Sequence, residues 1–342
     1  MDFGYYILNT YVPERDGPAA SLYARYLEQV DAAAAAGFDT VWATEHHFHH
    51  FGGMTPSPQL LLTLISQRVP RLRLGTSVSI LPLHQPLRIA EDFAMLDVLS
   101  GGRLEFGAGR GMALSGYEEL GIEYAGSQDR MKEAITLIDR AWREPTFSFE
   151  GRYYRCPELT VLPRPIQQPC PPIWITSSLD PESFRWIGER GYDLMILPWL
   201  FPVAEQRVQL YREARAAAGH AGPGRIMAMY PTHIADTAEQ ARAEAEPGWR
   251  HWRRLLAPEM ATPTANRPGL TAQVQDAMSY DFMVAERHVP FGTVEEALGL
   301  VRWLESFGVT HVGLTFHFGG VDHAATLRAI ELWGSEVLPR VR

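Results

Sequence analysis

The densest group of ionisable side chains in this 342-residue chain is Glu45-His46-His47-Phe48-His49-His50, one carboxylate and four imidazoles within six positions. Two chemistries use such a set. A metal site needs several ligands on one point, yet neighbouring side chains on an extended segment point to opposite sides, so a further ligand from elsewhere in the chain is required. A positioned acid or base needs only one imidazole, with Glu45 or a backbone carbonyl fixing its tautomer. The plain alternative is a solvated histidine-rich turn.

Three other segments carry chemical potential. Phe106-Gly107-Ala108-Gly109-Arg110-Gly111 is a glycine-rich turn with one arginine, and bare backbone amides beside a guanidinium suit a phosphate or a flat anionic ring. Ser177-Ser178 followed by Asp180-Pro181-Glu182-Ser183 offers hydroxyls at the start of a helix, which serves either anion binding or ordinary capping. Pro198-Trp199-Leu200-Phe201 supplies aromatic surface for a pocket wall or for the core. A phosphate cradle without lysine, an aromatic wall and a histidine cluster together suggest a phosphorylated cofactor with a planar ring, for which flavin mononucleotide (FMN) fits.

Composition removes other classes. Lys132 is the only lysine among 31 basic residues, and it sits in a polar helical stretch, which argues against Schiff-base, pyridoxal phosphate and P-loop chemistry. The net charge of -9, with basic residues scattered, argues against nucleic acid or an anionic membrane surface as partner. Apolar runs fall well short of the roughly 18 residues of a membrane span, Cys156 and Cys170 form no CxxC pair, and the first residues resemble no secretion signal. These features lead us to expect a cytoplasmic protein with reduced thiols.

The elements that must position these groups read as eight β runs, at 3–9, 40–43, 72–81, 104–108, 173–177, 194–197, 226–235 and 311–316. Helical stretches alternate with them at 21–36, 86–99, 128–142, 181–190, 203–218 and 237–255. Eight β/α alternations with apolar runs predict a (β/α)8 TIM barrel with insertions, formed by residues 1–342 as one domain. The four chemical segments then fall at the C-terminal ends of strands, where such barrels carry their active sites. Two stretches break the rhythm. Residues 144–172 read as an insertion with a hairpin, strands at 146–149 and 153–155, and a proline-rich loop; residues 256–290 read as a lid over the barrel mouth.

At this point a resemblance enters. The runs GFDTVWATEHHF (37–48), LGTSVSILPLHQPLRIAEDFAMLDVLSGGRLEFGAGRG (74–111), PESFRWIGERGYDLMILPW (181–199) and VPFGTVEEAL (289–298) resemble the bacterial luciferase family of flavin-dependent monooxygenases, in order from about Phe3 to Pro339. The resemblance implies an eight-stranded barrel that takes reduced FMN from a separate NAD(P)H:flavin reductase. There the flavin reacts with O2 to a flavin 4a-hydroperoxide, which oxygenates a small organic substrate by hydroxylation, epoxidation or Baeyer-Villiger insertion. It assigns His46 to acid/base work with Glu45 and His47 as neighbours, and makes Ser77 and Val78 the pair joined by a non-prolyl cis peptide beneath the flavin ring. It puts Arg110 on the flavin phosphate, Ser178 and Ser183 near its other contacts, and Trp199 on the flavin pocket wall. It also suggests a homodimer packed through barrel helices.

Departures from the family matter. Gly109 stands where luciferase has a reactive cysteine, which we read as more room beside the flavin and no thiol, against light emission. Gln85 aligns with a family histidine and His84 is its neighbour, so neither takes a role from the resemblance. Three rivals stand beside the monooxygenase reading: a coenzyme F420-dependent oxidoreductase, a non-catalytic flavin-binding subunit, and a zinc hydrolase built on the histidine cluster, although no convincing set of further ligands stands at other strand ends.

Overall fold

The computed structural model describes residues 1–8, 10–111, 115–199, 203–264, 278–286 and 289–342. Eight parallel strands close on themselves: β1 (Asp2–Ile7), β2 (Thr40–Ala43), β3 (Arg73–Thr76), β4 (Leu104–Gly109), β5 (Ile173–Thr176), β6 (Asp193–Ile196), β7 (Ile226–Pro231) and β8 (His311–Thr315). Each pairs with its neighbours in sequence, and β8 pairs with β1. The expected (β/α)8 barrel is the architecture found.

Apolar residues face both ways along these strands because the barrel interior and the helical shell each bury one side. Inside, Trp42 of β2 and Trp174 of β5 meet edge to face at 5.6 Å. Gly75 makes room for the Trp42 ring, since a β-carbon there would lie 2.0 Å from it. The N-terminal end of the barrel is closed by charge. Glu105 accepts hydrogen bonds from Trp174 Nε1 at 2.6 Å, Arg73 Nε at 2.5 Å and Arg225 Nη2 at 3.0 Å, and Arg225 also binds Asp193 at 2.7 Å. Three partners around one buried carboxylate compensate the charge of Glu105.

The shell helices are α1 (Ala19–Ala35), α2 (Pro58–Arg68), α3 (Pro86–Ser100), α4 (Ser127–Arg143), α5 (Pro181–Glu189), α6 (Ala204–Ala217), α7 (Ala238–Thr264), α8 (Tyr280–Ala285), α9 (Val294–Ser306) and α10 (His323–Leu332). Proline at the first turn and a side-chain cap mark two starts: Gln85 accepts from Leu87 N and Arg88 N before α3, and Asp180 accepts from Glu182 N and Ser183 N before α5. α3 ends at Gly101 in the left-handed region, φ 71°.

Two of the long β runs are interrupted. The run 72–81 splits into β3 and a two-residue strand, Ser79–Ile80, with the cis Ser77–Val78 peptide between them. The run 226–235 ends as a barrel strand at Pro231, and His233–Ile234 then pairs with Phe291–Gly292 outside the barrel. In the insertion the hairpin forms one to four residues from the expected position, with strands Phe147–Glu150 and Arg155–Leu159. Its turn is fixed from outside, by Glu133 of α4 accepting the backbone N–H groups of Arg152, Tyr153 and Tyr154 at 2.7–3.0 Å. Buried Asp97 of α3 similarly accepts from Ile166 N, Gln167 N and Gln167 Nε2 and ties the proline-rich loop to the barrel.

The helix expected to stop at 255 runs on to Thr264, so the first part of the expected lid is helical. Residues 265–277 of that segment lie outside the described residues. Beyond them α8 packs back, with Tyr280 stacked on Phe291 at 5.3 Å. No described helix is long and apolar enough to cross a membrane.

Candidate active site

A cavity of about 380 Å³ opens at the C-terminal mouth of the barrel. It takes lining residues from the ends of β1 to β7 and from α4 and α7, the location at which barrels of this kind place reacting groups. One end is polar, the other aromatic, and the Ser77–Val78 peptide lies between.

The histidine cluster is divided by position. His46 lines the cavity, with its ring edge-on to Phe51 at 5.3 Å. Its other side rests on Gly52, where φ is +75° and a β-carbon would lie 2.4 Å from the imidazole, so only glycine admits the ring there. Burial, reinforced by the neighbouring His47 and His49, pushes the His46 pKa down to about 4 against the pull of Glu45, so the ring is neutral near pH 7. His47 turns away from the cavity. Its Nε2 and that of His84 approach the same Glu45 oxygen at 2.9 and 2.6 Å, while the other oxygen accepts from Ile80 N at 3.0 Å and Ser79 Oγ at 3.3 Å.

Glu45 is thus a buried carboxylate with every acceptor site used. Burial works against its charge, but the hydrogen bonds from His47 and His84, with the charge of His84 and the Ile80 amide, win and hold its pKa down at about 2. For His84, burial opposes the charged ring and is outweighed by the hydrogen bond and charge of Glu45, so its pKa is raised. Ligand atoms of Glu45, His47 and His84 lie within 4.8 Å of one another, a set of the right types for a metal ion. The hydrogen bonds account for all three groups without one. Of the two groups expected to fix the His46 tautomer, Glu45 or a backbone carbonyl, Glu45 is taken up by His47 and His84, and His84, which the sequence left without a role, is one of its partners.

The cavity floor is held from β1. Tyr6 Oη donates to Ser77 O at 2.7 Å and lies 3.0 Å from Ser77 Oγ, which sits 3.4 Å from Met195 Sδ. Gly109 stands one layer behind the lining. A β-carbon there would lie 2.7 Å from Thr176 Cγ2 and 2.8 Å from Val78 Cγ2, so the space of a side chain is already filled. The reading of Gly109 as extra room beside a cofactor is corrected: its absent side chain allows β4 to pack against the floor.

The polar lining comprises Arg110, Gln128, Ser177, Ser178 and Ser183, with Gln128 Nε2 3.5 Å from Ser183 Oγ. Arg110 follows β4. Its guanidinium lies over the Tyr124 ring at 5.0 Å, and its carbonyl accepts from Tyr117 Oη at 2.5 Å. Ser183 Oγ donates to Asp180 at 2.7 Å, and Asp180 also caps the first amides of α5. An anion at this end therefore meets Arg110, Gln128, Ser177 and Ser178 more readily than Ser183 or the helix terminus. At the opposite end Trp199 and Trp252 line the cavity, with ring centroids 5.5 Å apart, and Phe51 lies 5.4 Å from Trp252. Phe201 lies outside the described residues.

Of the residues singled out from the sequence, Glu45, His46, Ser77, Val78, Arg110, Ser178, Ser183 and Trp199 line the cavity, and His47 and Gly109 stand behind it. Sequence reasoning missed Tyr6, Gln128, Met195 and Trp252. Tyr6 was findable as a polar aromatic near the end of a strand. Trp252 was not, because in sequence it is one more apolar position on a long helix.

A closed parallel barrel carrying an imidazole, an arginine- and hydroxyl-bearing lining and an aromatic wall at its C-terminal mouth is an enzyme scaffold. The chain belongs to the luciferase-like monooxygenase family, whose profile matches residues 1–311. It is 28% identical over 230 residues, 66% of this chain and 62% of the relative, to the oxygenase component of a flavin-dependent trigonelline monooxygenase from Acinetobacter baylyi. It is also 28% identical over 318 residues, 91% of this chain and 90% of the relative, to an F420-dependent glucose-6-phosphate dehydrogenase from Kineococcus radiotolerans. The crystal structure of the monooxygenase RslO1 from Streptomyces bottropensis is similar over all of both chains, with TM-score 0.86 and 26% identity.

Proposed function

We propose that the protein is the oxygenase of a two-component system, using reduced FMN and O2 to oxygenate a small organic substrate. The observation that carries this reading is one cavity joining an arginine- and hydroxyl-lined end to a neutral imidazole across the Ser77–Val78 floor. FMN fits these groups: its phosphate would be held by Arg110, Ser177, Ser178 and Gln128, and its ring would lie on Val78 with Trp199 as a wall. When bound and reduced, FMN supplies the electrons that activate O2.

The chain's own residues do the rest. Tyr6 holds the floor peptide in place through Ser77. Val78, Ile80, Met195, Met229 and Leu197 surround the reaction space with apolar groups and keep water from it. His46, neutral at its nitrogens near pH 7, accepts a proton or donates its N–H to the substrate without first losing one. Glu45 fixes His47 and His84 beside it.

A separate flavin reductase is proposed as partner because the trigonelline relative is named as an oxygenase component. A second copy of this chain is proposed as the other. Leu60 and Leu64 on α2 and Met95, Val98 and Leu99 on α3 are exposed apolar side chains on two adjacent helices, a surface suited to a homodimer.

The test is an anaerobic titration with reduced FMN, followed by rapid mixing with O2 while absorbance is recorded. Saturable binding and a transient spectrum distinct from both reduced and oxidised flavin are expected. Binding of F420 in preference to FMN would replace this reading with hydride transfer.

A further inference from the structure

The histidine-rich segment by itself makes no metal site, because a ligand from elsewhere in the chain has to join it. The fold brings that ligand. Glu45 and His47, two positions apart, meet His84 from the segment after the floor. The Nε2 atoms of His47 and His84 lie 2.9 and 2.6 Å from the same Glu45 oxygen, and the three ligand atoms fall within 4.8 Å of one another. Among the described residues no other three histidine, cysteine or carboxylate side chains converge in this way.

The hydrogen bonds within this set satisfy its groups and also preassemble it. The second Glu45 oxygen is held from behind by Ile80 N at 3.0 Å and Ser79 Oγ at 3.3 Å, which leaves the first to face both rings, as outer partners orient a ligating carboxylate. The Glu45 side chain is only 2% exposed, but those of His47 and His84 are 12% and 27% exposed and give an ion a way in. Asp92 adds negative charge near His84. Two imidazoles and a carboxylate suit Zn2+ or a similar transition-metal ion, whereas Mg2+ and Ca2+ take oxygen ligands. With bonds of about 2.0–2.1 Å, tetrahedral ligands stand roughly 3.3 Å apart, so each ring has to withdraw from Glu45 by only about 0.4–0.7 Å. A small side-chain rotation at two partly exposed histidines supplies that.

We propose that Glu45, His47 and His84 bind one divalent transition-metal ion of the zinc type, through one Glu45 oxygen and the Nε2 of each histidine, with water completing the tetrahedron. The ion takes the place of the Nε2 protons, and each ring then carries its proton on Nδ1. It joins the loop that bears His46 to the segment that follows the Ser77–Val78 floor, a tie that hydrogen bonds otherwise make. In EDTA the set keeps those hydrogen bonds and its own response to acid. The site needs no flavin and stands apart from the oxygenase reading.

Equilibrium dialysis of the tag-free, EDTA-treated full chain against Zn2+ tests this, with bound metal counted by elemental analysis. One Zn2+ per chain is expected at micromolar free zinc, undisturbed by excess Mg2+. Co2+ in its place should give the intense visible absorption of a four-coordinate ion. His47→Ala and His84→Ala each remove one ligand and should weaken Zn2+ binding at least tenfold. His323→Ala, which removes an imidazole paired with Glu28 at 2.8 Å elsewhere on the molecule, should leave it unchanged. Anomalous scattering from wild-type crystals soaked in Zn2+ locates the ion without any variant, and its peak should fall between the three side chains. Less than one Zn2+ per chain, wild-type affinity in His84→Ala, or a peak on other ligands would overturn the proposal. Flavin-free protein serves throughout, so failure to bind FMN would remove the cofactor reading and leave this result standing.

Discussion

At the scale of single residues, the site rests on which of several similar groups faces the cavity. Arg110→Ala is expected to weaken FMN binding at least tenfold while leaving riboflavin unchanged, since an exposed to half-buried guanidinium–phosphate pair contributes about 1.5–3 kcal/mol. Equal weakening of both in an equilibrium titration would show that Arg110 does not hold the phosphate. His46→Ala should lower coupled product formation by about 10²–10⁴, the usual worth of a positioned acid or base, without altering FMN affinity. Full coupling in the variant, measured as product per NADH, would remove His46 from the reaction.

The same residues set the response to acid. The His46 pKa falls from 6.5 to about 4 on folding, so between those values the unfolded chain binds the extra proton and stability drops as pH falls. That of Glu45 falls from 4.5 to about 2, a contribution present above 4.5 and lost as pH is lowered through that range. His84 has the opposite sign, stabilising below its unfolded value of 6.5 and losing that contribution as pH rises through its raised folded value. Urea midpoints should therefore decline below about pH 6.5, through His46, and continue to decline below 4.5, through Glu45. In Glu45→Gln the decline below pH 4.5 should be shallower, the remainder coming from Asp2, Asp16 and Glu244, whose carboxyls are also held below their usual range, and an unchanged acid limb would mean that Glu45 does not contribute to it.

At the scale of elements, two carboxylates fix the insertion to the barrel. Asp97→Ala leaves the amides of Ile166 and Gln167 and the Gln167 side chain without their acceptor, so it should cost about 2–3 kcal/mol. A fall in the urea midpoint at constant slope would register it, and an unchanged midpoint would show that the loop finds other acceptors. The elements were also where the sequence was easiest to read. All eight barrel strands fall within or beside the expected runs because apolar β runs bounded by glycine, proline and polar clusters reflect burial on both faces. Where a run was broken, at Ser77–Val78 and after Pro231, the apolar pattern continued across the break and concealed it.

At the scale of the whole molecule, the exposed leucines of α2 and the apolar end of α3 carry the dimer proposal. Leu64→Asp places a charge in the middle of that surface and is expected to convert a sedimenting dimer to monomer with the fold intact. A wild-type protein that sediments as a monomer would dismiss the interface. The barrel itself tolerates such changes because its core is sealed separately, by the interior tryptophans and by the Glu105 charge cluster at the opposite end.

The sequence by itself determined the barrel, the strand ends from which the cavity is lined and the family, because periodicity, strand-terminal motifs and their order are local properties of the chain. Only the tertiary structure decided how the groups divide their work. Glu45 and His84 lie 39 positions apart and meet because β2 and the segment after β3 are neighbours in the barrel. His46 stays neutral because the rings and apolar side chains around it come from several distant elements. Trp252, on a helix leaving the barrel, becomes a wall of the same cavity as Trp199 only when that helix folds back across the mouth. Burial and long-range pairing set charge states and hydrogen-bond partners, and neither is encoded in the spacing of residues along a chain.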